Sequence, residues 1–213
     1  MKKLIKLSFF FSFLMLFVAC GDDDLEPTLA LDKDLSTGIN NAGDLQSVLN
    51  SAYDRMSATG YYGRNQIVMG DVRTDNAYST LNSNRFSDSD MEYSTTGSGP
   101  WTTIYGVIAI CNIVIGVDPA SLEGDQGLIN HTIGQAHAIR ALAHFDLLQD
   151  YGQHFVTGQG GAGALGVPYV KTYKDPANLT PARDTAAQNL GDIVADLQGC
   201  LLYTSDAADD GLC

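Results

Sequence analysis

The sequence predicts a mainly α-helical fold whose helices are joined by long polar loops. Two observations lead there. Apolar residues recur at helical spacing in three separated segments, 41–59, 130–151 and 181–199. The acids that give the 213-residue chain its net charge of −13 are Asp in all but three cases (Glu26, Glu92, Glu123), and Asp favours caps and turns over helix interiors. With 12 Lys and Arg against 25 acids, the chain lacks the basic clusters that phosphate contacts need, which argues against a nucleic-acid partner.

In chain order, Met1-Lys2-Lys3-Leu4-Ile5-Lys6 is a basic start, and Leu7 to Ala19 is an apolar run. Its length suits the core of an export signal and is too short for a free-standing membrane helix. Residues 21–40 are acidic and hold Pro27, Ser36, Thr37 and Gly38, the composition of a linker. From 41 to 59, Leu45, Val48, Leu49, Ala52, Tyr53 and Met56 form one apolar stripe on an amphipathic helix. The segment 101–117 is ambiguous. Its Ile and Val content favours strand, whereas Trp101, Ile104, Tyr105, Ile108 and Asn112 fall at helical spacing, and its length favours a buried helix. Trp101 then belongs to the core.

Over 130–151, Ile133, Ala136, Ala143 and Leu147 continue the helical pattern and Gly152 stops it. The alanines 136, 138, 141 and 143 allow a neighbouring helix to approach closely. Arg140 is the charge on this Ala-rich helix that stands out, and it is expected to pair with an acid or cap carbonyls of a neighbour. The last helix is expected over 181–199, with Thr180 as N-cap, Pro181 in its first turn and a stripe of Leu190, Ile193, Val194 and Leu197. Residues 200–213 lack periodicity and close on Cys213. This tail resembles translated adaptor read-through, with a genuine short tail as the alternative, and a Cys200–Cys213 disulfide remains formally possible.

Residues Leu16-Phe17-Val18-Ala19-Cys20 resemble a bacterial lipoprotein box, with Phe17 where the strict pattern has Leu. Gly21-Asp22-Asp23-Asp24 after Cys20 looks like the surface-export signal of Bacteroidetes lipoproteins. The resemblance implies cleavage of 1–19, a lipid anchor on Cys20, an acidic linker to residue 40, and an outer-membrane, exterior-facing location.

Gly134-Gln135-Ala136-His137-Ala138-Ile139-Arg140-Ala141 through Asp150-Tyr151-Gly152 resembles the most distinctive helix of SusD/RagB-like outer-membrane lipoproteins. Trp101-x-x-Ile104-Tyr105-x-x-Ile108-x-x-Cys111-Asn112, the Gly166-Val167-Pro168 turn, and Arg183-Asp184-Thr185 with Ile193-x-x-Asp196-Leu197 follow the same family in order. The resemblance implies tetratricopeptide-like helix pairs over 41–199, forming the front portion of a longer protein. It also implies a binding protein, not an enzyme, that delivers glycans to a SusC-like TonB-dependent transporter. A peptide-binding RagB-like member and a purely docking scaffold are the alternatives.

A glycan surface needs aromatic faces for pyranose rings, flanked by groups that bond hydroxyls. The loop from Gly70 to Pro100 has that mix, and Asp75, Asn76, Tyr78, Asn84, Arg85 and Tyr93 are the candidate glycan residues; Arg73, Asn82 and Phe86 accompany them, and Tyr61 and Tyr62 are weaker candidates. Gly158-x-Gly160-x-x-Gly163 matches a dinucleotide fingerprint, but no helical pattern follows it, so a loop is expected. His137 and His144 are not spaced as metal ligands, Tyr93 replaces the Gly that Asp88-x-Asp90-x-Glu92 would need as a calcium loop, and no Gly-x-Ser-x-Gly occurs. No metal, cofactor or catalytic set is therefore expected. Cys111 reads as a small core hydrophobe.

Overall fold

The computed structural model describes residues 38–80, 82, 84–90, 100–153, 160–177 and 179–209, of which Ile39 onward fall in one unit. Cys20 and Gly21–Asp24, expected as anchor and export signal, lie outside the described residues, as do Tyr93 and Cys213. Five α-helices are described: α1 Ala42–Ser57, α2 Asn65–Val72, α3 Trp101–Ile115, α4 Gln126–Tyr151 and α5 Ala186–Asp209. Among the described residues the only β pairings are two isolated bridges, Asn41 with Glu123 and Leu165 with Thr185.

Helix α1 starts where Asn41 accepts the Asp44 N–H at 2.9 Å and returns its own amide N–H to the Asp44 carboxylate. Leu45, Leu49 and Ala52 of the expected stripe are fully buried. Tyr53 sits at the edge of that stripe, and its hydroxyl donates to Gln135 of α4 at 2.7 Å. Helix α3 resolves the strand-or-helix ambiguity. Ile104, Val107, Ile108, Cys111 and Val114 are buried between α1 and α4, and burial on several sides overrides the strand propensity of Ile and Val.

Trp101 departs from expectation. It is the first residue of α3 and remains 38% exposed, because the helical spacing runs past the buried length of the helix. Its ring meets Tyr151 edge-on at 4.9 Å, and the Trp101 backbone N–H donates to the Tyr151 hydroxyl at 3.1 Å. That contact joins the start of α3 to the end of α4, so the two helices run antiparallel. Helix α4 begins at Gln126, four residues before the apolar pattern becomes visible, because the Asp125 carboxylate caps Gly127 and Leu128.

The last helix differs most from expectation. Residues Pro181–Asp184 are extended, and α5 begins at Ala186 behind a capping box in which Thr185 Oγ1 accepts the Gln188 N–H while Gln188 Oε1 accepts the Thr185 N–H. Arg183 holds the preceding segment out of the helix by donating to the carbonyls of Gly166 at 2.6 Å and Tyr151 at 2.8 Å. The helix also continues to Asp209 instead of stopping at 199. Its inward face is Ala186, Asn189, Ile193 and Asp196, whereas Val194 and Leu197 of the expected stripe face solvent. The buried polar residues decide which face turns in.

Arg140 explains why. Its side chain is buried, and its fork grips Asp196 of α5, Nε to Oδ2 at 2.8 Å and Nη2 to Oδ1 at 2.5 Å. Nη1 reaches Asn112 of α3 at 2.7 Å and the Lys171 carbonyl at 3.2 Å. Asp196 also accepts from the Tyr169 hydroxyl at 2.6 Å and from His137 Nδ1 at 3.0 Å. Burial alone would raise the Asp196 pKa, but the hydrogen bonds from Arg140, His137 and Tyr169 outweigh it and hold the group well below the usual carboxylate range. The expected structural role of Arg140 is thus met by a three-helix junction.

His144 lies one turn along. Burial brings its pKa down from 6.5 to about 4, so the ring is neutral and its tautomer follows from its partners. Nδ1–H donates to the Arg140 carbonyl, Nε2 accepts the Val170 N–H, and the ring stacks on Tyr169 at 3.7 Å. The 166–171 segment is stitched in by the same logic. Asn189 exchanges two hydrogen bonds with the Val167 backbone. Gly166 is required there, since a Cβ would come within 1.9 Å of Asn189 Oδ1.

Removing Arg140 strands a buried carboxylate, which costs about 3–5 kcal/mol. Arg140→Ala in the full-length protein should therefore lower the melting temperature by many degrees in a circular-dichroism melt; an unchanged midpoint would exclude the role. His144 adds a pH dependence. Its folded pKa lies below the unfolded one, so its contribution is present above about 6.5 and is lost as pH falls toward about 4, worth about 3 kcal/mol. Urea titrations between pH 7 and 4 should show a smaller loss of stability for His144→Gln than for the parent. The difference between the two profiles cancels the opposite contribution of Asp146, whose pKa burial raises.

Candidate functional site

The weaker aromatic candidates prove to be structural. Tyr61 is fully buried, and Tyr61 and Tyr62 both donate their hydroxyls to Asp146 of α4, at 2.5 and 2.7 Å. Burial raises the pKa of Asp146, and the two hydroxyls partly offset that. Arg73 is likewise committed, pairing with Asp150 at 2.8 Å near the end of α4. These bonds pin both ends of the short helix α2, which eight residues with only Met69 and Val72 buried did not reveal by periodicity.

Beyond Arg73 the chain turns outward. Asp75, Asn76 and Tyr78 are exposed, and Tyr78 keeps 78% of its surface in solvent. Ser79 then donates to the Arg85 carbonyl at 2.9 Å and closes the loop on itself. Arg85 is flanked by two residues in the left-handed region, Asn84 at φ 50° and Phe86 at φ 59°. Asn tolerates that conformation, but for an aromatic side chain it is strained. The strain places the Phe86 ring under the Arg64 guanidinium, 5.8 Å from Cζ to ring centre. A tight turn follows, with the Ser89 N–H donating to the Phe86 carbonyl.

The result is an open cavity of about 210 Å³. Arg64, Asn65 and Met69 line it from the α2 side, and Asn84 to Ser89 line it from the loop. Of the six sequence-predicted glycan residues, Asn84 and Arg85 lie on the cavity. Asp75, Asn76 and Tyr78 stand on the exposed stretch before it and do not line it, and Tyr93 is outside the described residues. Sequence reasoning missed Arg64 and Asn65. They precede a helix too short to read, and no aromatic or acidic pattern marks them.

A second cavity, about 450 Å³, lies between Tyr169–Lys171 and Leu179–Pro181, with Lys174 and Asp175 on its wall. Lys171 is held by Asp192 at 2.7 Å. Among the described residues no group of three or more His, Cys, Asp or Glu could hold a metal ion. No helix among them is long and apolar enough to cross a membrane. The Gly160–Gly163 stretch forms a short turn with no α-helix behind it, as expected for a loop.

Such an architecture is a helical scaffold locked by a buried polar junction, with an open polar face on one loop. Residues 25–210 match the SusD-like family described as "Starch-binding associating with outer membrane", and the chain belongs to that family. Several solved structures are similar, three of which follow. A putative sugar binding protein from Bacteroides vulgatus ATCC 8482 is 26% identical with a TM-score of 0.63, and a SusD superfamily protein from the same organism is 26% identical with a TM-score of 0.68. Each alignment covers 78% of this chain and 38% of the other. A SusD superfamily protein from Bacteroides thetaiotaomicron VPI-5482 is 27% identical with a TM-score of 0.64, covering 76% of this chain and 37% of the other. The chain thus spans well under half the length of these relatives. No match was found among curated proteins.

Proposed function

We propose that the full-length protein is a glycan-binding lipoprotein of the outer membrane, anchored through Cys20 and facing the cell exterior. It presents oligosaccharides to a SusC-like TonB-dependent transporter and does no chemistry on them. The observation that carries the binding role is the loop of residues 75–89. There an exposed tyrosine precedes a cavity lined by a strained phenylalanine and by amide and guanidinium groups, in a chain whose family is described as starch-binding. Rings supply flat apolar faces for pyranose units, and the polar groups can bond their hydroxyls.

Tyr78 contributes little packing, so Tyr78→Ala should leave the melting temperature within a degree or two, since exposed substitutions rarely change stability by more than about 0.5 kcal/mol. The double variant Tyr78→Ala/Phe86→Ala should weaken retention of the full-length protein on polysaccharide affinity gels by about tenfold or more. Retention equal to the parent's would move the glycan site off this loop, and measurable hydrolysis of the polysaccharide would overturn the non-enzyme reading.

A further inference from the structure

We propose that the cavity between α2 and the 84–89 loop selects an acidic sugar residue, a uronic acid whose carboxylate is taken by Arg64 and Arg85. The inference rests on the glycan-binding reading and narrows it to a substrate class. Charge usage across the described residues supports it. The full 213-residue chain carries a net charge of −13, yet two arginines, Arg64 and Arg85, line this small cavity against one acid, Asp88. Three other arginines are already committed. Arg73 pairs with Asp150, Arg140 with Asp196, and Arg183 caps backbone carbonyls. Among the described residues, neither Arg64 nor Arg85 forms an ion pair with a carboxylate, and Asp88 instead accepts from Ser87 at 3.3 Å.

Geometry points the same way. Arg64 spends its Nε on Asn65 Oδ1 at 2.9 Å, which leaves both terminal nitrogens of the fork for a ligand. Its guanidinium also rests over the Phe86 ring, which orients the plane without neutralising the charge. Phe86 and Asn84 hold the left-handed conformations that bring Arg85 to the same cavity. A carboxylate that reaches these guanidinium groups gains charge-assisted hydrogen bonds, whereas a hydroxyl brings no charge to meet theirs. At about 210 Å³ the space is smaller than the roughly 300–1,000 Å³ of clefts for drug-sized ligands, so it suits one unit of a chain, with the rest lying along the exposed loop.

The test is binding of the full-length protein to an array that pairs uronate oligosaccharides (galacturonate, glucuronate and mannuronate tetramers) with their own carboxyl-reduced neutral counterparts. At least one uronate should bind about tenfold or more tightly than its reduced partner. Arg64→Gln/Arg85→Gln should bring that ratio to within about twofold by weakening the uronate far more than its neutral partner. Arg64→Lys/Arg85→Lys keeps the charge and loses the fork, so it should retain only part of the preference. Melting curves of all variants separate a binding effect from a folding one, and should Arg64→Gln disturb α2, Arg85→Gln alone reads the effect on an exposed residue. Binding to neutral members only, or a uronate preference that survives the Arg85 substitution, overturns the inference and leaves the glycan reading standing. No binding to any member of either set counts against both.

Discussion

Arg140 is carried into the interior with its charge intact, and the architecture of the described residues follows from how that charge is satisfied. Its fork takes Asp196 from α5, its remaining nitrogen takes Asn112 from α3 and the Lys171 carbonyl from the extended segment, and its own carbonyl fixes the tautomer of His144. A buried ion pair is weak evidence for net stability, because desolvation of both charges opposes the attraction. Specificity of arrangement is the stronger consequence. Apolar contacts alone would let α5 rotate or slide on α4, whereas a bidentate pair admits one register. The Thr185–Gln188 capping box and the Arg183 carbonyl clasp then set where α5 starts.

This constraint also explains what was legible in the sequence. Helices α1, α3 and α4 could be read because their buried faces are apolar at helical spacing. Arg140 could be singled out because a lone charge on an alanine-rich face has to be paired. Helix α5 was misread in register for the same physical reason. Its inward face carries Asn189 and Asp196 beside Ile193, so an apolar-in, polar-out rule rotates the helix too far and buries Val194 and Leu197, which the structure leaves exposed. Its start was misplaced because Pro181 suits a first helical turn, while the clasp on Arg183 that overrides this preference is a long-range contact.

The residues that carry the family resemblance are almost all scaffold. Asn112, Arg140 and Asp196 meet in the junction, Gly166 and Val167 lock onto Asn189, and Tyr105 donates to the Pro168 carbonyl at 2.8 Å. None of these groups lines the cavity beside α2. Recognising the family therefore located the frame, and only the composition of the 70–100 loop pointed to the proposed site. Composition singled out Asn84 and Arg85, which line that cavity, but could not tell committed side chains from available ones. Tyr61, Tyr62 and Arg73 look as suitable as Tyr78 until their partners on α4 are seen.

A double-mutant cycle on Arg140 and Asp196 tests the junction most directly. Arg140→Met, Asp196→Leu and the combined variant replace the pair stepwise with apolar groups of similar volume, and urea unfolding of the full-length protein gives each stability. Each single variant should lose several kcal/mol and the combined variant should recover much of the loss, with a coupling of about 2–3 kcal/mol. Losses that add to within about 0.5 kcal/mol would mean that the two residues do not act as a pair, and the register of α5 would need another explanation.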